Sequence, residues 1–164
     1  MSAHETSWYL KWGNAAQIAA ALVAALGFTA VLLQFSELRS NNKATAARQV
    51  YLAYLDLEFK YPEFAEPDYE RIKTSDRATQ SRYESFVSYL LYACEEALAA
   101  FGKSEEWRYT CDTEIKVHLP FLCERTAADP AYLRTFSGST QSFVKAAMAA
   151  AAVSSPPECK LRKT

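Results

Sequence analysis

Residues 12–36 read WGNAAQIAAALVAALGFTAVLLQFS and contain no charged side chain. The central run, residues 15–33, has only Gln17 and Thr29 as polar residues. A helix of about 20 residues, rising 1.5 Å per residue, crosses the roughly 30 Å hydrocarbon layer of a bilayer. The sequence therefore predicts a transmembrane helix over residues 13–35.

Aromatic side chains flank this run, because Trp8, Tyr9 and Trp12 precede it and Phe35 lies at its end. Aromatic rings favour the interface between lipid and water. Such a segment has two alternative interpretations. One is an alanine-rich core helix of a soluble domain. The other is a cleaved signal peptide, which we do not expect, because the apolar run is too long and no basic start precedes it.

The basic residues near the predicted anchor are distributed unequally. Lys11 is the only Lys or Arg on its N-terminal side, whereas Arg39, Lys43 and Arg48 follow it closely. Cytoplasmic flanks of membrane helices carry the excess of Lys and Arg. The charges therefore predict that residues 1–12 lie outside the cytoplasm and that the C-terminal domain lies inside it.

The composition of the chain is that of a globular helical protein. Hydrophobic residues make up 50% and charged residues 23%, and only four glycines occur. Asn-Gly and Asp-Gly hairpin signals are absent from the sequence. We therefore expect an all-α fold, in which the transmembrane helix continues into a small antiparallel helical bundle over residues 36–153. A flexible tail is expected over residues 154–164.

The first helix is expected to end at Pro62, because neither Pro nor Gly occurs between Gly27 and that residue. Its last turns carry two stripes at helical spacing. The apolar stripe holds Leu52, Leu55 and Phe59. The second stripe consists of Tyr51, Tyr54, Glu58 and Tyr61.

Capping residues predict the later boundaries. After a connector over residues 62–76, a helix is expected from about Thr79 to Phe101. Ser104 should cap the next helix, and Pro120 should kink or divide it. A final helix is expected to begin at Asp129-Pro130.

The chemistry-bearing residues do not form a recognisable catalytic motif. Lys plus Arg numbers 18 against 19 for Asp plus Glu, so there is no basic excess for binding nucleic acid. His118 is the sole histidine of the predicted domain, and no G-x-S-x-G, glycine-rich phosphate loop or H-E-x-x-H motif is present. We therefore expect a non-enzymatic protein without a cofactor.

Four residues are of metal-ligating types: Cys94, Cys111, His118 and Cys123. Their spacing does not suit zinc, because no C-x-x-C pair exists and Cys123 points roughly 140° away from His118 on a helix. In a cytoplasmic domain these thiols should be reduced. In the opposite orientation, the four cysteines, including Cys159, could form two disulfides.

One polar aromatic group lies on two predicted helices at spacings of three and four. Its members are Tyr51, Tyr54, Glu58, Tyr89, Tyr92, Glu95 and Glu96. The group could line a groove for a small ligand, or it could be the amphipathic packing that tyrosines often make at helix crossings. Within the anchor, Ala16, Ala20 and Ala24 form a smooth face that would allow self-association.

The layout of one anchor and a juxtamembrane helix ending in Tyr61-Pro62-Glu63-Phe64 resembles small bacterial single-pass membrane-anchored helical proteins of unknown function. The resemblance covers residues 12–67 and implies no catalytic residues. It also implies a location in the inner membrane of a bacterium. Some anchored bundles act as membrane effectors in phage defence. We therefore expect an interaction or scaffold module that contacts the lipid bilayer and either a second copy or another membrane protein. An oligomerising membrane effector and a small-ligand sensor are the alternatives.

Overall fold

The computed structural model describes the backbone of residues 3–154 and the side chains of residues 17 and 19–151. Across this part of the chain the fold is all-α, as predicted, and no strand is present. The helices are α1 (Ala3–Lys60), α2 (Pro62–Ala65), α3 (Tyr69–Lys73), α4 (Arg77–Phe101), α5 (Glu105–Val117), α6 (Leu119–Ala128) and α7 (Gly138–Ser154). A 3-10 turn, Tyr132–Thr135, precedes α7.

The chain divides into two compact units, Met1–Asn42 and Lys43–Thr164. In the first unit every described side chain from residue 19 onward is exposed. Its large apolar side chains range from Val31, at 45% exposure, to Leu26, at 72%. The hydroxyl of Thr29 donates to the Ala25 carbonyl oxygen at 2.8 Å, so this polar group is satisfied within the helix.

Part of α1 is long and apolar enough to cross a membrane. The best window of 18 residues has a mean hydropathy of 1.9, and none of it is buried. A core helix of a soluble domain would be covered by other elements. This finding argues against the alanine-rich core helix as an alternative.

In the second unit, the end of α1 packs through its tyrosine stripe. Ala47 and Tyr54 are fully buried, whereas Leu52 is 63% exposed and Phe59 is 86% exposed. The apolar stripe of Leu52, Leu55 and Phe59 is therefore mainly the outer face. Tyrosine can occupy the inner face because its ring packs in the core while its hydroxyl reaches a polar partner.

The predicted end of α1, the predicted cap of α5 and the predicted division of the helix at Pro120 are confirmed. The first helix ends one residue before Tyr61, the Ser104 hydroxyl accepts a bond from the Trp107 amide at 3.3 Å, and the helix containing Pro120 starts anew after His118. The start of α4 is two residues earlier than predicted. The reason is Asp76, whose carboxylate accepts a bond from the Thr79 amide at 3.0 Å and caps the helix.

The predicted start of the last helix at Asp129-Pro130 is wrong. Asp129 accepts a bond from the Ala131 amide at 2.9 Å, which closes a local turn, and only the 3-10 turn follows. The cap of α7 is Ser137, whose hydroxyl accepts a bond from the Thr140 amide at 3.3 Å.

The core of the second unit lies where α4 packs against α5 and α7, and where α6 packs against α7. Its centre is formed by the fully buried residues Val87, Leu90, Leu91, Ile115, Leu122 and Val144. Phe64 of α2 and Ile72 of α3 also belong to it, so the connector is an ordered part of the domain.

Candidate functional site

A buried tyrosine joins two carboxyl groups from different helices. The hydroxyl of Tyr54 donates to Glu58 at 2.7 Å and lies 3.1 Å from the Glu114 carboxyl of α5. One hydroxyl proton cannot serve both oxygens at once. If both carboxylates were ionised, they would repel each other, because they approach the same hydroxyl group. Burial, and then the charge of Glu58, raise the pKa of Glu114, so the pair favours a state that retains one proton.

Tyr51 and Tyr54 add uncharged aromatic rings to this pair of carboxyl groups. Burial, followed by the charges of Glu114 and Glu58, raises the pKa of Tyr51 to about 12. The pKa of Tyr54 is raised further, mainly by burial and its bond to Glu58. Tyr51 also packs edge-on against Trp107 with ring centroids 5.1 Å apart. Both phenols therefore remain protonated donors at neutral pH.

The residues of the predicted ligand groove fall into two places. Tyr51, Tyr54 and Glu58 come together at the contact of α1 with α5. On α4, Tyr89 and Tyr92 lie with ring centroids 6.4 Å apart, and Tyr92 is 46% exposed. Glu96 is half-buried, and Glu95 accepts a bond from the Ser137 amide at 2.8 Å.

Glu114 was missed at the sequence level, although a signal for it exists. It lies seven residues after Trp107 and three after Cys111, so it shares the helix face that packs inward. What the sequence does not reveal is that this face meets the tyrosine stripe of α1. The ligand role of the predicted groove stays a prediction.

A cavity of about 300 Å³ opens between the end of α1, α2 and α4. Its apolar lining consists of Leu57, Tyr61, Phe64, Phe86 and Tyr89. Its polar lining consists of Ser81, Arg82 and Ser85, all on the exposed side of α4. Tyr89 is the one member of the predicted groove that lines this cavity.

His118 is fully buried at the junction of α5 and α6. Its Nδ1 lies 2.9 Å from the Tyr83 hydroxyl. Burial lowers the pKa of His118 to about 4, so the imidazole is neutral at pH 7. Among the buried side-chain nitrogens and oxygens of the described residues, only its Nε2 has no hydrogen-bond partner.

The expectation of reduced thiols is contradicted. Cys94 of α4 and Cys111 of α5 form a disulfide with their Cα atoms 5.7 Å apart, and both residues are fully buried. Cys123 is also disulfide-bonded, whereas Cys159 lies outside the described residues. Because Cys94, Cys111 and Cys123 are disulfide-bonded, none of them has a free thiolate with which to bind zinc. Within the described side chains no group of three His, Cys, Asp or Glu residues is suited to a metal ion.

The small-residue face predicted on α1 is only partly described. Ala20 and Ala24 are exposed on α1, and the side chain of Ala16 lies outside the described residues. Trp8, Tyr9 and Trp12, the predicted interfacial aromatics, lie outside them as well.

Comparison of the chain with protein-family models, with curated proteins and with solved structures gives no match.

Proposed function

We propose that this chain is a membrane-tethered, non-enzymatic interaction module, in which one helix anchors a small helical domain that associates with a second copy of the chain. The bundle is proposed to be antiparallel and the host bacterial, in keeping with the resemblance to small single-pass bacterial proteins. The anchor is supported by the unburied apolar window of α1.

The observation that carries the interaction role is the outer face of α1 within the second unit. Leu52 and Phe59 are seven residues apart, so they lie two helical turns apart on one face. Their exposed fractions are 63% and 86%, while the opposite face of the same helix is fully buried at Tyr54. Large apolar side chains grouped on one exposed face favour a protein contact more than scattered ones do.

The test is crosslinking of the full chain in intact cells, followed by extraction in detergent. The wild-type chain should give a crosslinked dimer, and Leu52→Ser with Phe59→Ser should remove most of it. Tyr109→Ser is the matched control, because Tyr109 is 73% exposed on α5 and should not affect the contact. A wild-type chain that remains a solitary monomer would overturn the proposal.

The orientation in the membrane is the second part of the proposal. The basic flanks favour a cytoplasmic domain, whereas the disulfides favour an oxidising compartment. Cys94 and Cys111 are both fully buried, so their bond is structural rather than an exposed redox site. Basic flanks bias orientation, but long domains translocate largely regardless of charge. We therefore place the second unit on the outer face of the inner membrane.

Two labelling experiments separate the orientations. Lys103→Cys, in the exposed α4–α5 connection, should react with a membrane-impermeant maleimide on intact cells, while Ser2→Cys should be protected. In a separate sample, free thiols are blocked under denaturing conditions before reduction. Cys94 and Cys111 should then become reactive only after the reducing step. The reverse labelling pattern with reduced cysteines would restore the cytoplasmic orientation predicted from Arg39, Lys43 and Arg48.

The oligomerising effector shares the step of self-association, and Ala20 and Ala24 would serve it on the anchor. The two functions differ in what association does. Overexpression of an effector collapses the membrane potential, whereas an interaction module leaves it intact. A potential-sensitive dye therefore decides between them.

A further inference from the structure

The cavity between α1, α2 and α4 has aromatic walls and a positive rim. Tyr61 and Phe64 lie with ring centroids 5.8 Å apart at 28°, and Phe86 lies 5.9 Å from Phe64 across an edge-on contact. Phe64 and Phe86 are buried, so these rings are held in place by the core. A volume of about 300 Å³ is at the lower end of ligand pockets, which suits one ring better than a nucleotide.

The charge of the lining is of one sign. Arg82 is the single charged residue among those that line the cavity, and none of them is acidic. Its guanidinium donates to the Thr79 hydroxyl at 3.2 Å and forms no ion pair with any carboxylate of the described side chains. A second cation, Lys60, lies 5.4 Å from the ring centre of Tyr61. The local field therefore favours an anion.

A neighbouring cavity of about 340 Å³ provides the contrast. It shares Phe64, but its rim carries Glu63, Glu66 and Asp68 beside one arginine. An anion would be repelled there and attracted at Arg82. The aromatic cavity is thus distinguished from its neighbour by charge rather than by size.

From this geometry we infer that the aromatic cavity binds a small aromatic carboxylate. The ring would pack among Tyr61, Phe86 and Tyr89. The carboxylate would accept bonds from the Arg82 guanidinium, which matches its planar shape, and from the hydroxyl of Ser81. The Ser85 hydroxyl already donates to the Ser81 carbonyl oxygen at 2.9 Å. This inference is independent of the dimer contact proposed for Leu52 and Phe59.

The test uses the full chain in lipid nanodiscs and ligand-observed NMR, with empty nanodiscs as the background. The probes are 3-phenylpropionate, its neutral amide and 3-phenylpropylamine, which share a ring and differ in charge. We expect the carboxylate to bind about tenfold more tightly than the amide, since charge-assisted bonds to arginine are lost in the latter. The amine should bind most weakly.

Three variants locate the effect. Arg82→Gln should abolish the preference for the carboxylate, and Ser85→Phe should fill the cavity and weaken all three probes. Arg134→Gln is the matched control, because it removes an exposed arginine elsewhere in the domain. Equal affinities for the three probes, an Arg82→Gln variant that behaves as wild type, or no saturable binding at millimolar concentrations would each overturn the inference.

Discussion

The two parts of α1 are both helical, but they differ in how far their side chains are exposed. In the first unit every described side chain from residue 19 onward is exposed, and the bilayer proposed for this unit would cover the apolar ones. In the second unit the helix buries Ala47 and Tyr54, and the buried Tyr54 hydroxyl bonds to Glu58 one turn along the helix. The comparison teaches that the first part depends on its solvent and the second on specific contacts.

The largest expected effect is on the lipid-dependent part. Ala24→Arg would put a charge near the bilayer centre at a cost of about 2.5 to 3.5 kcal/mol on insertion scales. An alanine-rich segment has little apolar surplus to offset that cost, so the protein should leave the membrane fraction. The measurement is fractionation of cells followed by immunoblotting.

Gln49→Arg is the control for this change, because residue 49 is also exposed on α1 but belongs to the second unit. That variant should stay with the membrane. If both variants behaved alike, the distinction between the two parts of the helix would be lost.

The second effect concerns the contact-dependent part. Removing the disulfide with Cys94→Ala and Cys111→Ala should lower the free energy of unfolding by about 3 kcal/mol, as expected for a loop of this length. The sequence separation of the two cysteines is 17 residues. Thermal unfolding of the full chain in detergent measures the loss, while the membrane fraction should be unchanged.

A reducing agent should lower the melting temperature of the wild type at least to that of the untreated double variant, because it also opens the disulfide of Cys123. If reduction left the melting temperature of the wild type unaltered, the disulfide would not contribute to stability.

Local chemistry made several features predictable. Pro62 ends the first helix and Ser104 caps α5, because each acts on its immediate neighbours in the chain. The long apolar segment that could span a membrane was equally visible in the sequence. The sequence does not show which of the two stripes of α1 faces the core, because that depends on how α4 and α5 pack against this helix. At the last helix, Asp129 and Ser137 offer competing caps, and only the packed structure selects Ser137.

The candidate sites required the tertiary fold for the same reason. The Cys94–Cys111 bond depends on how α4 crosses α5, and Glu114 meets Tyr54 across 60 residues of sequence. Spacing along one helix could group Tyr51, Tyr54 and Glu58. It could not bring in a partner from another element.

The third effect is a loss of stability in mild acid. The pKa of His118 is about 4 in the folded chain and 6.5 in the unfolded reference, so its contribution is complete above pH 6.5 and declines as pH falls. Between pH 7 and pH 5 we expect the wild type to lose about 2 kcal/mol through this residue. Urea unfolding at a series of pH values measures the loss.

His118→Gln keeps a group that can bond to Tyr83 and does not titrate. The variant should lack this component of the pH dependence. Identical pH profiles of the variant and the wild type would contradict the assignment to His118.

The smallest expected effect concerns Glu114, and its dependence on pH has the opposite sign to that of His118. The pKa of Glu114 is raised in the folded chain, so its contribution to stability is present below about pH 4.5 and is lost as pH rises through the folded-state pKa. Glu114→Gln imitates the protonated form. At pH 7 it should stabilise the chain by about 1 kcal/mol, the net worth of one hydrogen bond.

Thermal unfolding at pH 7 and pH 4 checks this prediction, and the advantage of Glu114→Gln should shrink at the lower pH. Glu124→Gln is a control, because that exposed carboxylate pairs with Lys73 and contacts Tyr69 rather than Tyr54. A destabilised Glu114→Gln variant at pH 7 would show that the ionised carboxylate is preferred.

The Cys94–Cys111 bond also makes a covalent ring of the chain that joins α4 to α5. The exposed residues Gly102 and Lys103 lie inside this ring. A protease that cuts there would divide the polypeptide without releasing either fragment. The nicked molecule would migrate as a single band on a non-reducing gel and as two bands once the sulfur bond is opened.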